Sequence, residues 1–218
     1  MQILIPEIKV LEIIETALKV VEVDYKSHLI EAETILYQLF GSNQYGKYNF
    51  LEQSKDIFLR DNDHPRKIET RLMFDAKRAA LPTIHISMPQ ESTGADGIGV
   101  DEGYQEDIVS TDSKTFHKTY TRMFDVQYNC IITSDNSLEV LCIYHLLKSV
   151  LIGIFDSIEF NGIRNPKLSG QDLQINSELV PPHLFIRGIG INFCYEQTVP
   201  AIQEESFIKS FRVLYHIT

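Results

Sequence analysis

Between Thr121 and Thr133 apolar and polar residues alternate with a period of two. Phe124, Val126, Tyr128, Cys130 and Ile132 point one way and Met123, Asp125, Gln127, Asn129 and Thr133 the other, which predicts a strand with one face on a core. The period then changes. Leu138, Leu141, Cys142, Ile143, Tyr144, Leu146, Leu147, Val150, Leu151, Ile154, Phe155 and Ile158 cover most of a helical circumference, and only Glu139, His145, Lys148, Ser149 and Asp156 leave a polar stripe. Asn136 is the expected N-cap, with Glu139 three residues on, as in a capping box. A helix this apolar is buried along most of its length, under a sheet or between subunits. About ten buried large side chains would contribute roughly 15–30 kcal/mol gross, so removing Leu147 or Leu151 is expected to be costly.

Residues 7–40 read as helix. Ile8, Leu11, Ile14, Leu18 and Val21 form one stripe, and Leu29, Ala32, Ile35, Leu36, Leu39 and Phe40 form a second after a break near Asp24, where Val20-Val21-Glu22-Val23 is rich in β-branched residues. Gly41 is the expected stop. Ser42 to Tyr48 reads as a loop and Phe50 to Leu59 as a short helix. Asp61-Asn62-Asp63-His64-Pro65 punctuates the chain. It divides an N-terminal helical segment, residues 1–62, from an α+β domain, residues 63–218.

Within that domain Thr83 to Met88, introduced by Pro82, alternates as a strand. Residues 89–114 are acidic and glycine-containing, with no Lys or Arg before Lys114, and form either a disordered loop or an arm used in assembly. Thr115 to Thr133 would run to about 60 Å as one strand, so it must bend, or project as a hairpin with residues 83–90. Asn161-Gly162 and Asn165-Pro166 mark turns. Leu173 to Asn176 and Phe185 to Tyr195 read as strands, the second with Phe185, Ile189, Ile191, Phe193 and Tyr195 on one face and Gly188 and Gly190 on the other, open to close approach. Phe207 to Ile217 is the expected edge strand, an invitation to a neighbouring chain. The fold class is therefore α+β: an antiparallel or mixed sheet on one long apolar helix, with a projecting hairpin arm and an N-terminal helical segment.

Composition narrows the function classes. The chain has 218 residues, 44% of them hydrophobic, enough for one generous domain. No basic leader precedes Ile3 and no apolar run reaches ~18 residues, so neither a signal peptide nor a membrane span is expected. Cys130, Cys142 and Cys194 are odd in number and sit in apolar contexts, which reads as reduced thiols made in a reducing cytosol. A net charge of −10 without basic clusters excludes a tight grip on nucleic acid. An acidic wall past which DNA slides remains compatible with it.

No motif fixes a reaction. Gly97-Ile98-Gly99 has its third glycine at 103, one residue off a dinucleotide loop, among acids that repel phosphate. Asp96, Asp101 and Glu102 lack the spacing of a calcium loop. Cys142 and His145 make half a zinc pair with no second half. His85 and His183 have no nucleophile in a recognisable context. Tyr45, Tyr48 and Phe50 lack the basic partners of a base-stacking platform. Neither catalytic residues, cofactor nor metal are expected. The alternative is a cytosolic α+β enzyme or ligand-binding domain using the His85 or His145 neighbourhood.

Four segments, Leu81-Pro82-Thr83-Ile84-His85-Ile86, Arg122 to Tyr128, the helix Leu138 to Phe155, and Arg187-Gly188-Ile189-Gly190-Ile191-Asn192-Phe193, together resemble the tail-terminator and head–tail connector ring proteins of tailed bacteriophages. The likeness covers residues 80–200; residues 1–62 depart from the smaller family members. It implies a structural virion protein, made in the host bacterial cytoplasm. Such a protein forms a homo-oligomeric ring between portal, connector or tail proteins, and DNA passes its lumen without tight binding. Ring contacts would then fall on the arm (Asp96, Ile98, Val100, Asp101, Glu102, Glu106, Asp107, Ile108) and on the terminal strand (Phe207, Phe211, Val213, Tyr215). A chain with one arm and one open edge suits a head-to-tail, cyclic interface.

Overall fold

The computed structural model describes residues 5–72, 80–93, 105–107, 117–154, 163–172 and 184–200. The fold is α+β. Helices α1 (Pro6–Ser27), α2 (Ile35–Phe40), α3 (Phe50–Phe58) and α4 (Ser137–Gly153) accompany a small hairpin of β1 (Gln44–Tyr45) and β2 (Tyr48–Asn49) and a larger mixed sheet. That sheet contains β3 (Glu69–Leu72), β4 (Thr83–Thr93), β5 (Gln105–Asp107), β6 (His117–Ser134), β7 (Ile163–Asp172) and β8 (Phe185–Pro200). Its order is β3-β4-β6-β8-β7, with β5 pairing on β6. The β3–β4 pair is parallel, and the β5–β6 and β7–β8 pairs are antiparallel.

The chain divides into two compact units, one of Ile5–Ser92 with Asp125–Tyr195, the other of Met1–Leu4, Thr93–Phe124 and Glu196–Thr218. The boundary expected at residue 62 does not separate them, because α1 packs on β3 and α4 and so joins the sheet's own core. β6 is shared: it belongs to one unit up to Phe124 and to the other from Asp125 on.

The core of the larger unit follows the two periods. On β6 Val126, Tyr128, Cys130 and Ile132 are buried, as are Ile189, Ile191, Phe193 and Tyr195 on β8 and Ile84 and Ile86 on β4. The Tyr128 and Phe193 rings stack with centroids 5.6 Å apart, and the Tyr128 hydroxyl meets Met88 Sδ at 3.5 Å, so these positions share one face. α4 meets the sheet at β7 and β8, where the Tyr144 hydroxyl fills the space above Gly170 and Arg187 stands over the Tyr144 ring. Val140, Cys142, Ile143, Tyr144, Leu146, Leu147, Val150 and Leu151 are buried along the helix, with Leu147 and Leu151 fully so. Phe185, which alternation sets on the same face as Ile189, is 44% exposed at the start of β8.

Several local readings change. α1 buries Pro6, Val10, Ile14, Ala17 and Val21, a row at helical spacing, and Ile8 of the expected stripe faces outward. The break after it is a short 3-10 turn (Glu31–Glu33) that leaves Leu29 fully exposed, outside the stripe expected of it. Asp24 ties the break: its Oδ2 accepts from Ile35 N at 2.7 Å, at the start of α2. Gly41 does stand at the end of α2, but in a right-handed conformation; a Cβ there would sit 2.6 Å from Tyr37 O, so close approach demands the glycine. Ser42 to Tyr48, expected as a loop, includes the β1–β2 hairpin, with Gly46 at φ +60°.

The acidic stretch is not uniformly loop either: β4 continues to Thr93, and Gln105–Asp107 is a strand. Asn165-Pro166 lies inside β7, where the register shifts between Arg164 and Lys167 and Asn165 adopts φ 50°. A proline fits there because β7 ends the sheet order and the bulge needs no donor. The expected strand Leu173–Asn176, the turn at Asn161-Gly162 and the terminal strand from Phe207 lie outside the described residues.

Candidate functional site

Among the described residues the site with the most chemistry is a cavity of about 410 Å³ on the side of α4. Leu39 and Phe40 at the end of α2, Ser42 and Asn43 in the turn, Phe50 opening α3, and Leu141, His145 and Ser149 of α4 line it. The last three recur every fourth residue, so they form one row along the helix. The turn is pinned through Asn43. Its backbone N–H donates to Phe40 O at 3.0 Å, its Nδ2 to Leu39 O at 2.8 Å, and its carbonyl accepts from Phe50 N at 3.4 Å. Asn49 fixes the start of α3 by accepting from the Leu51 and Glu52 amides. These bonds build the wall from local sequence, and the packing of α3 on α4 closes it.

His145 stands at the rim, edge-on to the Tyr144 ring with centroids 5.1 Å apart. Partial burial, and then the nearby Arg187 and Lys148 charges, lower its pKa below the ordinary histidine value, so the imidazole is neutral near pH 7. Both cations instead face the Tyr144 ring, Arg187 Cζ at 5.0 Å and Lys148 Nζ at 5.9 Å from its centroid. Among the described lining residues there is no carboxylate, lysine or arginine. These residues offer apolar walls and a polar rim of hydroxyl, amide and imidazole groups.

A second polar cluster holds α4 at its N-terminus. Glu139, expected on a solvent-facing stripe and in a capping box, is 2% exposed. Its Oε1 accepts from Arg60 Nη1 at 2.8 Å and its Oε2 from Arg66 Nη2 at 2.6 Å and from the Ser134 hydroxyl. Arg66 also grips Asp135 with both Nη atoms, at 2.7 and 3.2 Å, and that bond holds the Asp135 pKa below its ordinary value. Asn136 caps the helix as expected, accepting from Leu138 N at 3.0 Å. Every charge here is paired within the fold, which makes the cluster a clasp rather than a reactive centre.

The sequence-derived candidates do not assemble. Strand alternation sets His85, 8% exposed, on the face of β4 opposite Ile84, Ile86 and Met88. The sheet thus separates it from α4 and His145, and the two histidines share no site. His183 lies outside the described residues. Cys142 is buried and its pKa is pushed up to about 11, chiefly by that burial. No group of three or more His, Cys, Asp and Glu is arranged for a metal among the described residues. Tyr48 is 49% exposed on β2.

Of the expected ring contacts, Glu106 and Asp107 lie in β5, where the register sets them opposite Lys118 and His117 of β6. Asp96, Ile98, Val100, Asp101, Glu102, Ile108, Phe207, Phe211, Val213 and Tyr215 lie outside the described residues. No described helix is long and apolar enough to cross a membrane. Comparison with protein-family models and with curated proteins finds no match to this chain.

Proposed function

We propose that the chain is a structural, non-enzymatic subunit of an oligomeric ring at the portal–tail junction of a tailed phage, repeated around the channel through which the genome passes. The observation that carries this reading is the arrangement of the four segments on which the resemblance rests. They are β4, β6, α4 and β8; the three strands are consecutive in the sheet, and α4 meets the sheet at β8, where Arg187 stands over its Tyr144 ring. A sheet that carries a long apolar helix, and a strand of 18 residues shared between two compact units, suit a subunit whose strands also serve assembly. The net charge of −10 suits a lumen wall that DNA passes without sticking.

In this reading the acidic stretch and the terminal segment, Glu106 and Asp107 included, make the contacts between subunits or with a neighbouring ring. Native mass spectrometry across a range of protein concentrations, alone and with portal or tail partners, should give one closed, ring-sized multiple. Reversing charge on β5 with Glu106→Lys and Asp107→Lys should shift that species towards monomer. A monomer in every mixture overturns the proposal.

A further inference from the structure

The ring reading makes no use of the cavity beside α4, and the cavity's construction points to a second role. We propose that it is a binding site for a small, uncharged molecule with one or two planar apolar rings and a hydrogen-bonding edge. Three features define that ligand. The volume of about 410 Å³ lies in the range of small-molecule sites and suits a compact body. Leu39, Phe40, Phe50 and Leu141 give it apolar surface, and the two phenylalanines favour a ring, which stacks offset or edge-on against them.

The polar groups at the rim, among the described residues, are all neutral. Ser42 and Ser149 bring hydroxyls, and Asn43, whose Nδ2 is committed to Leu39 O, brings its Oδ1 as an acceptor. The uncharged His145 ring adds one donor and one acceptor. A charged ligand would give up its water here and meet no countercharge among the described lining residues, because Arg187 and Lys148, whose charges reach His145, face the Tyr144 ring instead. The Asn43 hydrogen bonds hold the wall in place before anything binds, so little ordering remains to be done on binding.

Amide and imidazole NMR of the whole protein, titrated with phenol, indole and benzamide, tests the assignment, with benzoate as the charged control. The expected result is saturable shifts at Asn43, Leu141, His145 and Ser149, with dissociation constants of about a millimolar for one-ring probes and benzoate at least tenfold weaker. Leu141→Trp fills the cavity from the helix side and should abolish the shifts. Ser42→Trp, at an exposed rim position, blocks the mouth without touching the core and should do the same in a protein of unchanged melting temperature. Three results would each overturn the site: no saturable shift, benzoate binding as well as phenol, or shifts that persist when the mouth is blocked. The oligomeric state does not enter this readout, so failure here leaves the ring proposal standing, and the reverse also holds.

Discussion

Glu139→Ala is expected to be the most damaging single substitution outside the apolar core. The carboxylate is 2% exposed and both of its oxygens are bonded, one to Arg60 and one to Arg66 and Ser134. Removing it strands the Arg60 guanidinium, whose side chain is only 8% exposed. Arg60 would keep Arg66 O and the exposed carboxylate of Asp56, and its buried Nε already has no partner among the described residues. Breaking a buried pair from one side costs about 3–5 kcal/mol. Arg66 is 36% exposed and retains Asp135, so its share is at the level of a surface pair, about 0–1 kcal/mol.

The loss should therefore be about 3 kcal/mol, or roughly 6–12 °C in Tm for a chain of this size. Chemical and thermal unfolding measure it, and raising the salt to half-molar should change it little because the pair is shielded from solvent. Replacing both partners with apolar residues, Arg60→Met with Glu139→Leu, should recover most of the loss. A Glu139→Ala cost below about 1 kcal/mol would mean that water screens the pair. A double variant no better than the single one would refute the account, because leucine refills the volume and methionine removes the stranded charge.

Gly170 makes room for the Tyr144 hydroxyl, which a Cβ at that position would overlap. Gly170→Ala should cost about 1–3 kcal/mol, and adding Tyr144→Phe should return part of it; a neutral Gly170→Ala by denaturant titration would refute the contact. The Cys130, Cys142 and Cys194 thiols have pKa values pushed up to about 12, 11 and 11, chiefly by burial. The native protein at pH 8 should therefore react slowly with a disulfide reagent at these three positions, and fast labelling of Cys130 would contradict the core. His145 titrates below its ordinary value in the folded chain. The unfolded chain takes up the proton first, so the stability His145 contributes is present above about pH 6.5 and declines as the pH falls through the folded value. The drop in Tm between pH 7.5 and 5.5 should be shallower in His145→Gln, and equal drops would refute that linkage.

Residues 121–133 and 185–195 were readable because one face of each strand packs on the core and the other does not, and that contrast is what an alternating pattern records. β7 carries no such contrast. Within Ile163–Asp172 the apolar content is thin, and Asn165-Pro166 imitates a turn where the chain in fact bulges at the end of the sheet. β3 is short, polar and half-buried, so its pairing with β4 leaves no mark in its own residues. Glu139 misled for a different reason. Three residues after an N-cap is where a capping-box glutamate stands, and the arginines that bury it come from 79 and 73 residues earlier. The cavity was half visible: Leu141, His145 and Ser149 recur every four residues, but the opposite wall is set by Leu39 to Phe50, about a hundred residues upstream.

The apolar girth of α4 follows from the number of its neighbours. The sheet takes one side, and α1 and α3 take others, so a one-sided amphipathic pattern would leave polar groups stranded. What looked like a single solvent-facing stripe is three separate solutions to that crowding. Glu139 is neutralised by two arginines, Lys148 stands over the Tyr144 ring, and His145 with Ser149 opens onto a cavity because the short α2 and the turn after it stop short of closing the gap. Polar residues on a helix enclosed on several sides are thus the positions to search first, since each marks a pair, a rim or a hole. Here the paired ones fix the fold, and His145 and Ser149 are where the proposed ligand would find room.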